Sequence, residues 1–200
     1  MRRKASDMRR RAVSAFHLSI VFAIAAFLGA RPAAAGPIVP GVWYEFAFTD
    51  AGVSPTGCEP NDPLGNFCIP SSGTPTTFAD APPWTFLAAA PTTLTVTDAF
   101  LSGDQFEILD FGMVIGMTSL PIVDVDCGDD PVICLATPGM STGVFALGAG
   151  AHSLVIVPLL SEGGGAAYFQ IPEEIPEPTT VLLVTTGIAA AVLRRRRQSR

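Results

Sequence analysis

The chain has 200 residues, a formal net charge of −6 and four cysteines. All 12 of its lysines and arginines lie near the two ends, seven up to Arg31 and five from Arg194 onward, whereas the stretch from Glu45 to Glu162 holds fourteen acidic residues. A nucleic-acid binder needs lysine and arginine to neutralise phosphates, so the composition excludes that class of protein. It also excludes lysine or arginine salt bridges within the central part of the chain.

The N-terminal segment, residues 1–35, is predicted to be a cleavable signal peptide. Six of the first eleven residues are basic, and residues 12–30 carry no Asp, Glu, Lys or Arg. Ala33 and Ala35 fit the small-residue rule for cleavage, which places the cut before Gly36 and makes signal peptidase a partner. The alternative is a permanent N-terminal anchor, because an uncharged run of this length could also span a membrane.

Residues 36–171 show the pattern of an all-β fold, and we expect one β-sandwich domain. In the strand around residue 95, Leu94 and Val96 alternate with threonines, and in the next strand Phe106 and Ile108 alternate with Glu107. Strands at this spacing are typical of a sandwich, and a jelly-roll-like arrangement is compatible with it. The predicted strands are Val42–Phe48, Thr93–Thr97, Gln105–Phe111, His152–Leu160 and Ala166–Ile171, with turns at 101–104, 110–113, 146–152 and 161–165.

The four cysteines are predicted to form disulfides, because the export signal sends the chain into an oxidising compartment. Cys58 and Cys68 enclose a loop rich in Pro, Asn and Gly, and Cys127 and Cys134 enclose the sequence GDDPVI. Pairing within each loop is the simplest of three possible connectivities. A zinc site is the alternative, and it is disfavoured because neither pair has the C-x-x-C spacing.

Four aspartates around the second cysteine loop form a candidate calcium site: Asp124, Asp126, Asp129 and Asp130. Calcium takes six to eight oxygen ligands, largely from carboxylates and backbone carbonyls. The stretch departs from an EF-hand because Gly128 takes the third ligand position and no Glu follows at the twelfth. The alternative is a solvated acidic loop without metal, and the sequence favours that alternative.

Catalysis finds little support in the sequence, and we expect no enzymatic activity. His152 is the only histidine after the N-terminal segment, and no serine lies in a G-x-S-x-G turn. Pairs of carboxylates suited to glycoside hydrolysis are always found among fourteen acids, so their presence decides nothing. A secreted hydrolase therefore remains only an alternative.

Aromatic residues support a further alternative, a calcium-dependent carbohydrate-binding module. Trp43, Tyr44, Trp84 and Phe86 are candidates for stacking on sugar rings. Packing in a hydrophobic core is the commoner role of such residues, and we favour it for most of them. Selective glycan binding would distinguish the module from a structural protein.

The C-terminal end combines three features in a fixed order. Residues 172–178 form an extended linker, because its prolines do not fit inside a helix. Residues 179–193 are uncharged and are predicted to be a transmembrane helix; a hydrocarbon core is about 30 Å thick, so the span is short. Residues 194–200 form a basic tail that stays cytoplasmic. A buried core helix is disfavoured, because four adjacent arginines would have to leave the core at its end.

The linker ends in a Pro-Glu-Pro triplet, Pro176 to Pro178, directly before the uncharged run and the arginine cluster. Together with the N-terminal signal, this tail resembles the PEP-CTERM proteins of Gram-negative bacteria. The resemblance implies handling by a membrane-embedded exosortase, delivery to the cell surface or extracellular matrix, and an association with exopolysaccharide. It implies nothing direct about the domain between the signals. We therefore predict a non-enzymatic structural or adhesive protein, with Ca²⁺ as the sole candidate cofactor. The matching residues are the triplet Pro176, Glu177 and Pro178, the run from Thr179 to Leu193, and the cluster Arg194, Arg195, Arg196 and Arg197.

Overall fold

A computed structural model describes residues 36–161 and 163–173, in which ten strands and one short helix are found. The predicted signal peptide, the Pro-Glu-Pro triplet, the transmembrane helix and the basic tail lie outside the described residues. The elements are β1 (Gly36–Pro37), β2 (Trp43–Phe48), β3 (Thr76–Phe78), β4 (Trp84–Ala88), β5 (Thr92–Asp98), β6 (Gln105–Asp110), β7 (Met113–Met117), α1 (Pro131–Ala136), β8 (Thr142–Leu147), β9 (Gly150–Leu160) and β10 (Gly165–Gln170).

The strands form two five-stranded sheets. One sheet has the order β1-β4-β9-β6-β7, and the other has the order β3-β2-β10-β5-β8. Neighbouring strands are antiparallel except for the short pairs β1–β4 and β2–β3, which are parallel. The prediction of an all-β fold is therefore confirmed.

One hydrophobic core takes side chains from both sheets. The ring of Phe46 in β2 lies 5.0 Å from the ring of Trp84 in β4 and 6.1 Å from the ring of Phe106 in β6. Contacts of this kind contribute about 0.5–1.5 kcal/mol each beyond the burial of area. The other fully buried side chains of this core include Leu94, Val96, Ile108, Leu154, Ile156 and Phe169.

The five predicted strands correspond to β2, β5, β6, β9 and β10 within two residues at each end. Four side chains were predicted to point inward, and all four are fully buried, as the alternation requires: Leu94, Val96, Phe106 and Ile108. The predicted turn at 146–152 is wrong in extent, because β8 runs to Leu147 and β9 starts at Gly150. Glycine at 150 allows the positive φ of +128° at which β9 begins.

All six residues of β2 are buried, so neither face of this strand is exposed to water. Its residues Tyr44, Phe46 and Phe48 point into the core, so Trp43 and Ala47 point to the opposite face. There, Trp43 packs in a cluster with the second pair of cysteines, and Ala47 packs with the first pair. Both cysteine loops therefore cover the outer face of the β2 sheet.

Candidate functional site

The two cysteine loops are closed by the predicted local disulfides. Cys58 pairs with Cys68 and Cys127 pairs with Cys134, with Cα–Cα distances of 5.5 and 4.8 Å. No free cysteine is found in the described part of the chain. In the chain-entropy model, closing loops of this size contributes roughly 2–3 kcal/mol each. We call the two loops and the helix α1 the disulfide layer.

Two of the predicted calcium ligands tie the second cysteine loop to the segment that follows the first cysteine loop. The carboxylate of Asp129 accepts hydrogen bonds from the backbone N–H and the hydroxyl of Ser72, at 3.1 and 2.7 Å. The carboxylate of Asp130 accepts one from the backbone N–H of Thr74 at 2.8 Å and caps α1 by accepting from the N–H of Val132 at 2.8 Å. The bond from Thr74, followed by the cap bonds, lowers the pKa of Asp130.

The other two predicted ligands do not join them. The carboxylate of Asp126 accepts a hydrogen bond from the backbone N–H of Gly128 at 2.8 Å, and Asp124 is exposed with a φ of +64°. A metal site needs several ligand atoms close together. In residues 36–161 and 163–173, one group of at least three His, Cys, Asp or Glu residues has its ligand atoms within 4.8 Å of one another, and that group does not include these aspartates. Calcium binding stays an untested hypothesis, and three of the four aspartates, Asp126, Asp129 and Asp130, accept hydrogen bonds from groups of the chain.

The group that does converge is Glu45 with Cys58 and Cys68. Metal binding by cysteine requires the thiolate, and both sulfurs are committed to a disulfide. In this oxidised form the three residues therefore do not provide a metal centre. They instead place a carboxyl group directly beneath the first cysteine loop.

Glu45 is the residue of the site that the sequence analysis missed. It is 0% exposed, and neither carboxyl oxygen has a hydrogen-bond partner. Burial raises the pKa of Glu45 from 4.5 to about 7, and the charge of Asp129 acts in the same direction. The backbone N–H of Ile69 opposes this rise in the pKa but lies outside hydrogen-bonding geometry. The sequence does hold one indication that Glu45 is buried: Glu45 lies between the apolar residues Trp43 and Ala47 on one face of a strand.

The strand register brings Tyr168 beside Glu45 on the covered face, with Thr97 beyond it. The Tyr168 hydroxyl donates a hydrogen bond to the backbone carbonyl of Asp129 at 2.9 Å. Burial raises the pKa of Tyr168, and the charges of Glu45 and Asp129 add to this effect. The phenol therefore stays protonated and ties β10 to the disulfide layer.

His152, the candidate for a catalytic base, has oxygen partners on both ring nitrogens. Nδ1 lies 2.7 Å from the carboxylate of Asp110, and Nε2 lies 3.0 Å from the carbonyl oxygen of Gly148. The other oxygen of Asp110 accepts a hydrogen bond from the Ser153 N–H at 2.9 Å. The ring of Phe86 stacks on His152 with 4.9 Å between centroids. This arrangement ties β4, β6 and β9 together and leaves no ring nitrogen free.

The candidate sugar-stacking residues are largely enclosed. Trp43, Tyr44 and Trp84 are buried, and Phe86 is half-buried against the core. The Nε1–H of Trp84 donates to the carbonyl of Asp80 at 2.8 Å, and the hydroxyl of Tyr44 accepts from the N–H of Val39 at 2.8 Å. The packing role that we favoured therefore applies to the three buried residues.

Comparison with known proteins bears on the C-terminal tail. Residues 174–197 match the family model for the PEP-CTERM protein-sorting motif. No curated protein and no solved structure gives a match to the chain. Within the described ranges 36–161 and 163–173, no helix is long and apolar enough to cross a membrane.

Proposed function

Because the chain carries a PEP-CTERM sorting motif, we propose that it is an exosortase substrate with a non-enzymatic role, structural or adhesive, at the cell surface or in the extracellular matrix. The match of residues 174–197 is the observation that carries the proposal. The motif indicates export and exosortase-mediated sorting to the surface. The role in the matrix, the transmembrane intermediate and a link to exopolysaccharide are parts of the proposal.

The chemistry of the domain supports a structural role. In this proposal the two sheets are the layers of a β-sandwich around the shared core. Two disulfides pin loops onto one sheet, which suits a protein that stays folded in an oxidising environment. The candidate catalytic histidine is held between two acceptors, and the carboxyl of Glu45 is enclosed. In the described residues no geometry favours hydrolysis or a calcium-dependent sugar site over this role.

The experiment is to express the full chain in a bacterium that contains an exosortase and to replace Pro176, Glu177 and Pro178 by alanine. Mass spectrometry reads both termini, and fractionation separates inner membrane from surface material. The parent should lose the arginines that begin at Arg194 and reach the surface. The triple variant should keep them and accumulate in the membrane fraction.

The matched control is Pro172→Ala, which alters a nearby proline outside the triplet. This variant should be processed and delivered like the parent. If the triple variant is also cut and delivered normally, the triplet is not the recognised signal, and sorting by this motif is rejected.

A further inference from the structure

The first described residue, Gly36, is also the residue at which the exported chain is predicted to start. Gly36 is buried and begins β1, which pairs in parallel with β4 in the register Gly36–Trp84. The backbone N–H of Ile38 donates to the carbonyl of Thr85 at 3.0 Å and continues this pairing. The predicted new end of the chain is therefore held within the fold, against its neighbouring strand.

The side chain of Asp80 lies directly against Gly36. A Cβ atom built on Gly36 would lie 3.1 Å from the Cβ of Asp80 and 3.4 Å from its carboxylate oxygen Oδ2. The α-nitrogen and the Cβ of a residue are both bonded to the same Cα, so they lie about 2.5 Å apart. The nitrogen of Gly36 is therefore within about 6 Å of the Asp80 carboxylate, a distance at which opposite charges stabilise each other.

The backbone around Asp80 is fixed by hydrogen bonds. The carbonyl of Asp80 accepts from the Nε1–H of Trp84 at 2.8 Å. The preceding residue, Ala79, donates its N–H to the carbonyl of Glu45 at 2.8 Å and accepts from the N–H of Cys58 at 2.9 Å. In the described part of the chain, no N–H or O–H group donates a hydrogen bond to the Asp80 carboxylate. The carboxylate is therefore held beside Gly36 and is able to accept a donor there.

A cavity adjoins the two residues. Its volume is about 140 Å³, and Gly36, Asn61 and Asp80 are among the residues that line it. One water molecule takes about 30 Å³ in the liquid, so the cavity has room for an ammonium group and several waters. Water in the cavity lowers the cost of placing a charge here, because the charge keeps part of its hydration.

We propose that cleavage before Gly36 creates an internal ion pair, in which the α-ammonium of Gly36 binds the carboxylate of Asp80 and fastens β1 to the domain. Hydrolysis of the peptide bond between residues 35 and 36 consumes one water and leaves a carboxylate on Ala35 and an ammonium on Gly36. In the uncleaved chain the same nitrogen belongs to a neutral amide. The ion pair therefore forms only in the processed protein.

The charge distribution gives this amine its importance. Between Gly36 and Leu193 the chain has no lysine and no arginine. An α-amino group is mainly protonated at pH 7, so cleavage supplies a cation to a domain whose other ionised groups are largely acidic. The cation is tethered beside Asp80, so the pair forms without the entropy cost of bringing two separate groups together. The inference rests on the export step of the proposed function and on the predicted cleavage before Gly36, and it does not depend on the C-terminal tail.

The test uses the full chain, expressed in the exosortase-containing bacterium and purified in non-ionic detergent after the cell has processed it. The chain has a single lysine, Lys4, which lies in the predicted signal peptide, so the acetyl ester of N-hydroxysuccinimide can label only the α-amine of the processed protein. Mass spectrometry identifies the first residue and follows the rate of acetylation. The variant is Asp80→Asn, and the matched control is Asp50→Asn, which removes the same charge from an exposed aspartate that does not line the cavity.

We expect the Gly36 amine to react at least about 10-fold more slowly in the folded parent than in the parent unfolded by urea, because the nearby carboxylate holds the nitrogen in its unreactive protonated form. Asp80→Asn should remove most of this protection, and Asp50→Asn should keep it. Acetylation should lower the urea midpoint of the parent and of Asp50→Asn. It should leave the midpoint of Asp80→Asn nearly unchanged, because the two changes remove the same interaction.

Equal reactivity of the amine in the folded and the unfolded parent would overturn the proposal, and this comparison needs no variant. An equal fall of the urea midpoint on acetylation in the parent and in Asp80→Asn would also overturn it, as would a mature N-terminus at a residue other than Gly36. Processing of the tail is read at the other end of the chain, so failure of the sorting proposal is recognised separately.

Discussion

Replacing Glu45 by glutamine should remove a pH dependence from the free energy of unfolding of the protein. The Glu45 carboxyl is fully buried without a hydrogen-bond partner, and burial raises its pKa from 4.5 to about 7. Below about pH 4.5 the group is neutral in both the folded and the unfolded chain and has no effect on stability. As pH rises, the unfolded chain ionises first, so the folded state loses stability until the pH exceeds the folded pKa.

The size of this loss follows from the two pKa values. At 1.36 kcal/mol per pKa unit, the interval between 4.5 and about 7 corresponds to roughly 3 kcal/mol of unfolding free energy. Glutamine has nearly the same shape as glutamate and does not ionise. Glu45→Gln should therefore gain about 3 kcal/mol relative to the parent between pH 4.5 and pH 8. Any fixed cost of burying the amide shifts the whole curve without changing this slope.

Urea denaturation followed by tryptophan fluorescence, at intervals from pH 4.5 to pH 9, measures this difference. Burial raises the pKa of Asp98 to about 7 as well, but Asp98 is present in both proteins and its effect cancels. Glu59→Gln is the control, because Glu59 is exposed in the same cysteine loop region. If the parent and Glu45→Gln lose stability in parallel over this range, the carboxyl is solvated or hydrogen-bonded, and the reasoning fails.

Three further changes test packing, capping and disulfide closure in the domain. Gly116→Ala should lower the unfolding free energy by about 1–3 kcal/mol, because the added Cβ would lie 2.6 Å from the ring of Phe145; Gly103→Ala, which meets nothing within 4 Å, should be nearly neutral in the same urea titration. Asp130→Ala should cost about 1–2 kcal/mol, because it removes the cap of α1 and the link to Thr74, and hydrogen exchange should show α1 loosening first. Serine at both cysteines of the first disulfide should lower the unfolding free energy by about 2–3 kcal/mol, and an unchanged urea midpoint would contradict this.

Two of the strands that the sequence predicted, β5 and β6, have an alternation of apolar and polar residues that is visible in the sequence alone. In β5, Leu94 and Val96 alternate with polar threonines, because one face meets the core and the other does not. In β6 the same alternation places Phe106 and Ile108 inward. Such a pattern is local, so a single sequence suffices to recognise it. The pairing of cysteines within each loop was predicted on the same local basis.

The missed elements depend on contacts that the chain makes at a distance. The strand β7 reads as apolar without alternation, because as an edge strand it is exposed on both faces. The helix α1 has a local signal, an aspartate cap followed by Pro131 at the first turn, but it is only six residues long and overlaps the end of the second disulfide loop. Glu45 looks like a solvent-facing residue until the cysteine loops are known to fold over it. These features depend on tertiary structure: the cysteine loops cover one sheet, and the edge strand β7 of the other sheet is exposed.

The absence of lysine and arginine from the central part of the chain explains how its acids are used. A carboxylate needs donors, and here the backbone supplies them. The loop turns at Asp62, Asp98, Asp126 and Asp130 each direct one or more backbone N–H groups to a carboxylate oxygen. Such bonds order these loops with donors that the chain itself supplies. Glu45 departs from this pattern because neither of its oxygens has a donor. Burial raises the pKa of Glu45 and that of Asp98 to about 7, so the ionisation of these two carboxyl groups makes this anionic domain sensitive to pH.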